Sequence, residues 1–247
     1  LYLFYEVITV CTYPLVAHHQ DQESYQGARK YLVYLMGTSK LFLLPAMILT
    51  YVQCGTLDFN LTDISRGMFP ATANPTLVTI TYFLYLAGLA KAAMMPMHNW
   101  LPSAMVAPTP VSALLHAVAV VKAGVFSVSR IMLSAFGVDL LSRLGLGVTT
   151  AYLAAFTIVV ASIIALTKED LKARLAYSTV SQLSYIIIGV GMLTPIAITG
   201  GLIHIAFHAF AKITLFFAAG AIFVATDLRK IPLMDGLGRK LPWTFGA

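Results

Sequence analysis

The sequence predicts an all-α membrane protein, a multi-span helical bundle with a broken helix, and three observations carry that reading. Of the 247 residues, 59% are hydrophobic and only 11% charged, and the mean hydropathy of +0.82 lies far above that of a soluble domain this size. The apolar residues gather into seven runs, each at or near the ~20 residues that a helix needs to cross the hydrocarbon core. The runs do not alternate, and an open sheet cannot satisfy its backbone in lipid, so helices follow rather than strands.

The spans are expected at 1–17, 29–53, 77–97, 110–135, 147–167, 174–194 and 197–226. The first is slightly short, as in a chain that begins mid-helix, and it lacks the charged leader and cleavage site of a signal peptide. Trp243–Ala247 reads as the start of another apolar run, so residues 1–247 are expected to be one transmembrane domain cut from a longer chain. Pro14 and Pro45 read as ordinary membrane-helix prolines. Pro96, five residues after Lys91, is expected to break or kink the third span near that lysine, because proline removes a backbone hydrogen bond. Carbonyls freed at that depth can solvate ions or water. Thr109-Pro110 reads as an N-cap and first-turn proline that start the fourth span.

The loops give an orientation. Arg29, Lys30, Lys168, Lys172, Arg174, Arg229, Lys230, Arg239 and Lys240 fall on one side, and Arg66, Arg130 and Arg143 on the other. That bias makes the first side cytoplasmic. The net charge of +6 therefore reflects membrane topology, and with no basic tract a nucleic-acid partner is excluded. Cys11 and Cys54 are far apart and lie in no metal or redox spacing, so both read as small apolar fillers.

Lys40, Lys91, Lys122 and Lys212 lie inside the spans, with Glu6 the only acid in comparable surroundings. Charge at that depth is expensive and marks function by default. His204, His208 and Lys212 recur every four residues, advancing ~40° per step along roughly 12 Å of rise, so they form one polar stripe. An HxxxH pair can hold zinc, but no Glu accompanies it and the lysine one turn on would repel a cation. Proton relay is the alternative, since histidine and a desolvated lysine both titrate toward neutral pH. Packing glue across helices is the bland reading; it suits one histidine and explains three ionisable groups in register poorly.

His116 and Lys122 are six residues apart, about 120° around a regular helix and roughly 9 Å along it, so they would face different neighbours and bridge two polar clusters. Glu6 and Lys91 are natural partners, because an unpaired ion at that depth is neutralised or expelled. A changing distance between them would load and unload a proton. Lys40 either joins the polar line, snorkels or faces a partner subunit. His18 and His19 read as solvated loop residues, and His98 beside Trp100 as interfacial.

Lys91-Ala-Ala-Met-Met-Pro-Met-His-Asn-Trp-Leu-Pro102, followed by Ala107-Pro-Thr-Pro-Val-Ser-Ala-Leu-Leu-His116, resembles the antiporter-like membrane subunits of respiratory complex I, membrane-bound hydrogenases and Mrp-type cation/proton antiporters. Phe4-Tyr-Glu6, Leu171-Lys-Ala-Arg-Leu-Ala-Tyr-Ser-Thr-Val-Ser-Gln182 and His204-Ile-Ala-Phe-His-Ala-Phe-Ala-Lys212 extend the resemblance over essentially the whole chain. It implies a fold with inverted five-helix repeats, of which this chain holds the middle. It also implies a proton path through Glu6, Lys91, His116, Lys122, His204, His208 and Lys212, with Pro96 in the broken helix.

Ser103 stands where complex I members often carry Asp, and an Arg/Asp pair near Met36 and Ser39 is absent. Val120-Val-Lys-Ala-Gly124, Gly37-Thr-Ser39 and Leu44-Pro45 look more like Mrp-type chains. The expected function is thus proton translocation in a bacterial inner membrane, as a subunit of a monovalent cation/proton antiporter, with protons and Na⁺ as the ions. The alternatives are a proton-pumping subunit of NADH:quinone oxidoreductase or a membrane-bound hydrogenase, a structural membrane subunit, and a metalloenzyme using His204 and His208. No CxxC cluster, flavin fingerprint or haem-ligand pattern occurs, so no cofactor is expected here, and electron transfer would belong to partner membrane subunits.

Overall fold

The computed structural model describes residues 1–70 and 72–246, and these are helical apart from turns, an irregular segment between Cys54 and Pro75, and one isolated antiparallel bridge between Asp170 and Lys230. The domain expected over 1–247 thus includes two residues, Ala71 and Ala247, that lie outside the described ones. Helix α1 spans Tyr2–Val16. Helices α2 (Gln22–Thr38) and α3 (Leu44–Cys54) run on through a π turn, Ser39–Leu43, as one 33-residue rod. Helix α4 (Pro75–Gly88) stops short and is followed by a 3₁₀ turn, Ala90–Ala92, and the short α5 (Trp100–Ser103).

A second continuous rod of 28 residues, Thr109–Phe136, contains α6 (Thr109–Ala113), a π turn at Leu114–Val118, α7 (Val120–Arg130) and a π turn at Ile131–Phe136. After α8 (Val138–Arg143) come three long helices, α9 (Leu146–Thr167), α10 (Leu171–Gly191) and α11 (Pro195–Thr226). The short α12 (Leu237–Lys240) and α13 (Pro242–Gly246) complete the described chain.

The helix starts follow from local chemistry. The Asp21 carboxylate accepts a hydrogen bond from the Ser24 amide at 2.7 Å, Asn74 from Thr76 at 3.0 Å, and Asp170 from Ala173 at 2.8 Å, each satisfying an amide that the first turn leaves free. Pro75 and Pro195 then occupy first-turn positions, where a missing N–H costs nothing. The fourth span starts differently from expectation: Pro108 is its N-cap and makes no side-chain cap, so Thr109 already belongs to the first turn.

Six of the seven expected spans fall on helix almost throughout, and the deviations have local causes. Among the described residues, four helices are long and apolar enough to cross a membrane, Gln22–Cys54, Thr109–Phe136, Leu146–Thr167 and Pro195–Thr226. The apolar α1 and α4 are shorter. The second span begins seven residues before the expected 29, because Asp21 caps a polar first turn that hydropathy alone passes over. The third does not continue to 97. The Thr109–Phe136 rod is the centre of the bundle, with 67% of its most apolar window buried against 22–28% for the other three.

Candidate functional site

The third span is interrupted at Lys91. Helix α4 ends at Gly88, Lys91 lies in the 3₁₀ turn, and Ala93 takes the left-handed conformation at φ 54°, which a residue with a Cβ adopts rarely. Pro96 sits beyond these residues, in the irregular stretch that follows. Close packing surrounds the interruption. A Cβ on Gly88 would fall 2.4 Å from the Leu43 nitrogen, and one on Gly124 would fall 2.2 Å from the Lys91 carbonyl carbon. Glycine at both positions lets the rods on either side press directly on the interrupted backbone.

The groups freed by the break are satisfied from other elements, as a buried backbone requires. The Trp100 indole donates to the Ala90 carbonyl at 2.9 Å, the Lys91 amide donates to the Tyr5 hydroxyl at 3.1 Å, and the Met95 amide donates to Thr157 Oγ1 at 3.3 Å. Side chains, rather than ions, take up at least the Ala90 carbonyl.

Lys91 is fully buried. Its ammonium donates to the Tyr5 carbonyl and stands 3.6 Å from the centroid of the Tyr5 ring, a cation–π geometry. Glu6, one residue on, does not touch it: among the described residues the only ion pair within 4.0 Å is Lys230 with Glu169. In place of the expected direct Glu6/Lys91 pair, Lys91 is held by a Tyr5 clamp. The reason is that Glu6 Oε1 is taken by Ser39 Oγ, which donates to it at 2.6 Å from the π turn of the second rod. The other oxygen, Oε2, is buried without a hydrogen-bond partner.

A second cluster lies in the central rod and α11. Lys122 Nζ is 2.5 Å from His208 Nδ1, His204 Nε2 is 2.9 Å from the Gln182 amide oxygen, and Lys212 Nζ donates to Ser178 Oγ at 2.8 Å. The rings of His204 and His208 are 6.1 Å apart, and His116 packs against Phe216 at 5.2 Å between ring centroids. His116, Lys122, His208 and Lys212 are buried, and His204 is half-buried. His116 has no hydrogen-bond partner on either ring nitrogen, and His208 has none on Nε2. Phe216 lies one turn beyond Lys212 on α11, so the packing of His116 against it sets His116 beside this cluster.

The regular-helix spacing expected between His116 and Lys122 does not apply. His116 lies in the π turn Leu114–Val118, whose wider winding changes the rotation between the two residues. Thus the structure brings His116, Lys122, His204, His208 and Lys212 into one cluster and Glu6 with Lys91 into another. No hydrogen bond joins the two clusters among the described residues. Gly124, against the Lys91 backbone and two residues from Lys122, is where they approach through the chain.

Tyr5, Ser39, Ser178, Gln182, Trp100 and Thr157 are the site residues that reasoning from charge alone misses. All six are neutral, and the only signal, for all but Thr157, was their place in the quoted motifs. Lys40 is exposed and does not join the line. His18 and His19 are exposed in the turn after α1, and His98 is half-buried near Tyr177. Cys11 is exposed on α1, so it is no core filler.

Fold and site together define a polytopic helical membrane chain with a broken helix and ionisable side chains buried in its interior. The family described as NADH:quinone oxidoreductase/Mrp antiporter, TM, matches residues 1–246, and the chain belongs to that family. It is 31% identical, over 99% of its length, to NAD(P)H-quinone oxidoreductase subunit 5 of the Paulinella chromatophora chromatophore, and covers 37% of that protein. It is 32% identical, over 93% of its length, to NADH-quinone oxidoreductase subunit L of Buchnera aphidicola subsp. Schizaphis graminum, covering 36% of it.

Among solved structures it resembles a chain of the membrane-bound sulfane sulfur reductase, an archaeal respiratory membrane complex, with TM-score 0.85, 30% identity, and coverage of 99% of this chain and 49% of that one. It also resembles a chain of the Mrp complex from Dietzia sp. DQ12-45-1b, with TM-score 0.79, 30% identity, and coverage of 99% and 27%. The chain spans just over a third of the length of the curated relatives it matches.

Proposed function

We propose that this chain moves protons across a membrane as part of a multi-subunit complex, through Glu6 and Lys91 at one end and His116, Lys122, His204, His208 and Lys212 in the interior. The observation that carries the reading is the contact between Lys122 Nζ and His208 Nδ1 at 2.5 Å, at full burial depth in the central rod. Two nitrogens at that separation share one proton, and moving it reverses which of them donates. A packing role needs one proton position; a relay uses both.

Glu6 and Ser39 govern the other end. The glutamate carries one oxygen held by Ser39 and one without a partner. Rotation of that carboxylate toward Lys91 would make a direct ion pair and draw the ammonium off Tyr5. In this reading the Tyr5 clamp is the state of Lys91 when Glu6 is turned away.

Two drives fit the resemblance equally: exchange for a monovalent cation such as Na⁺ in an Mrp-type complex, and redox-driven pumping in a quinone oxidoreductase. The curated relatives favour the second reading, since they are quinone oxidoreductase subunits. The departures at Ser103, Met36 and Ser39 favour the first.

The test uses the full-length protein in its complex, in bacterial inner-membrane vesicles. Lys91→Ala is expected to abolish proton movement while the complex still assembles. Proton movement set off by added Na⁺ assigns the antiport drive, and movement set off only by an electron donor assigns the redox drive. Wild-type proton movement in Lys91→Ala would refute the path.

A further inference from the structure

The three ionisable side chains of the α11 stripe meet three kinds of partner. His208 Nδ1 lies 2.5 Å from Lys122 Nζ, and Lys212 Nζ donates to Ser178 Oγ at 2.8 Å, whereas His204 Nε2 lies 2.9 Å from Gln182 Oε1. A lysine amine gives up or takes a proton, and a hydroxyl both donates and accepts, so either can hand a proton on. A carboxamide oxygen accepts a hydrogen bond but takes up no proton at neutral pH. Of these three partners, Gln182 is the one at which a chain of exchangeable protons ends.

We propose that Gln182 is a positioning residue that fixes the tautomer of His204, so that this histidine is loaded and unloaded through Nδ1 alone and serves as a side store of the relay rather than a link in it. With Oε1 as the acceptor, Nε2 carries the ring hydrogen and Nδ1 keeps the lone pair. An arriving proton binds at Nδ1 and makes the imidazolium. The Nε2 proton has no base to move to, so the proton on Nδ1 is the one that leaves, and the starting tautomer returns. His208 differs, because Lys122 engages Nδ1 and Nε2 is free of protein partners, so a proton can enter by one nitrogen and leave by the other.

The surroundings leave the amide to set the tautomer. The titratable side chains beside His204 are Tyr185 of α10, 6.5 Å away between ring centroids, and His208 one turn on at 6.1 Å, with Lys122 of α7 on the far side of His208. Helices α7, α10 and α11 carry no acidic residue, so none of them supplies a carboxylate that competes for the ring N–H. The contact joins α10 and α11, consecutive helices of one chain, and does not depend on what packs outside them. The inference rests on the reading of α11 as part of a proton relay.

The full-length protein in its complex, labelled with ¹⁵N-histidine, is read by solid-state NMR above neutral pH, with the His204 signals identified by their loss in His204→Ala. The wild type is expected to hold only the Nε2–H tautomer. Gln182→Met, of similar length and without the amide, is expected to show both tautomers, and Gln182→Glu, whose carboxylate also accepts from Nε2, to keep Nε2 protonated. An Nδ1–H tautomer in the wild type, or a single Nε2–H tautomer that persists in Gln182→Met, would overturn the proposal. Proton flux per assembled complex separates store from link: His204→Ala is expected to lower flux without abolishing it, whereas His208→Ala loses it. With flux lost in His208→Ala, an equal loss or no change in His204→Ala overturns the proposal and leaves the relay standing. Wild-type flux in His208→Ala refutes the relay itself, and the side store falls with it.

Discussion

Lys122 Nζ and His208 Nδ1 meet at 2.5 Å although they belong to different helices, α7 and α11, and are 86 positions apart in the chain. When the lysine is the donor, His208 must carry its ring proton on Nε2, and that nitrogen is buried without a partner. The contact thus engages one ring nitrogen and leaves the other free of protein partners, and a ring that passes protons uses both.

Replacing Lys122 by Ala is expected to abolish proton movement and to lower thermal stability modestly, since a buried acceptor left alone costs about 1–3 kcal/mol. The check is proton flux beside a melting curve of the detergent-purified complex. His208→Ala should lose flux to the same degree, and the double variant should lose no more than either single one.

Gly124→Ala tests the packing of the break. The added Cβ would lie 2.2 Å from the Lys91 carbonyl carbon and 2.3 Å from the Ala92 nitrogen, so the backbone must move. Overpacking of that kind costs about 1–3 kcal/mol. A lower melting temperature together with reduced flux is expected, and Ala at Gly37, where nothing approaches within 4 Å, should change neither.

Ser39→Ala removes the donor to Glu6 Oε1 at 2.6 Å. A hydrogen bond to a charged group is worth about 1.5–3 kcal/mol, so a flux decrease of roughly tenfold or more is expected, with Ser39→Thr retaining most of the activity. Equal activity in Ser39→Ala and wild type, measured at equal assembly, would remove Ser39 from the site.

The first turn of α2 should be acid-sensitive. Hydrogen bonds from Ser24 hold the Asp21 carboxyl below its ordinary value of 3.8. Because the folded value is depressed, the stabilisation is fully present above pH 3.8 and is lost as pH falls through the lower folded value. Hydrogen exchange at Ser24, corrected for intrinsic rates, should show protection at neutral pH that disappears in strong acid, and Asp21→Asn should show no such pH step.

Much of this was legible in the sequence because lipid leaves the backbone few choices. Six of the seven expected spans lie on helix almost throughout and the third does so as far as Gly88, and four of the five positions in the second cluster were legible as a shared stripe or an adjacent helix: His204, His208, Lys212 and Lys122. His116 was legible as a residue but not in its direction, because the π turn that re-aims it leaves no hydropathy signal. The break was legible near Lys91; the close approach of Leu43 to Gly88 and of Gly124 to the Lys91 backbone, contacts between rods far apart in sequence, was not. Tyr5 was hidden for another reason: its carbonyl and ring both engage Lys91, and neither carries a charge to announce it.

The central claim is that buried groups in the interior pass protons rather than merely join helices, and Lys212→Ala in the full-length protein tests it most directly. Lys212 Nζ donates to Ser178 Oγ at 2.8 Å and is buried, so its removal leaves a neutral hydroxyl and no stranded charge. Proton flux in proteoliposomes, normalised to assembled complex, is predicted to fall to background while assembly stays at wild-type level. Wild-type flux in Lys212→Ala, or loss of assembly with flux per assembled complex unchanged, would contradict it.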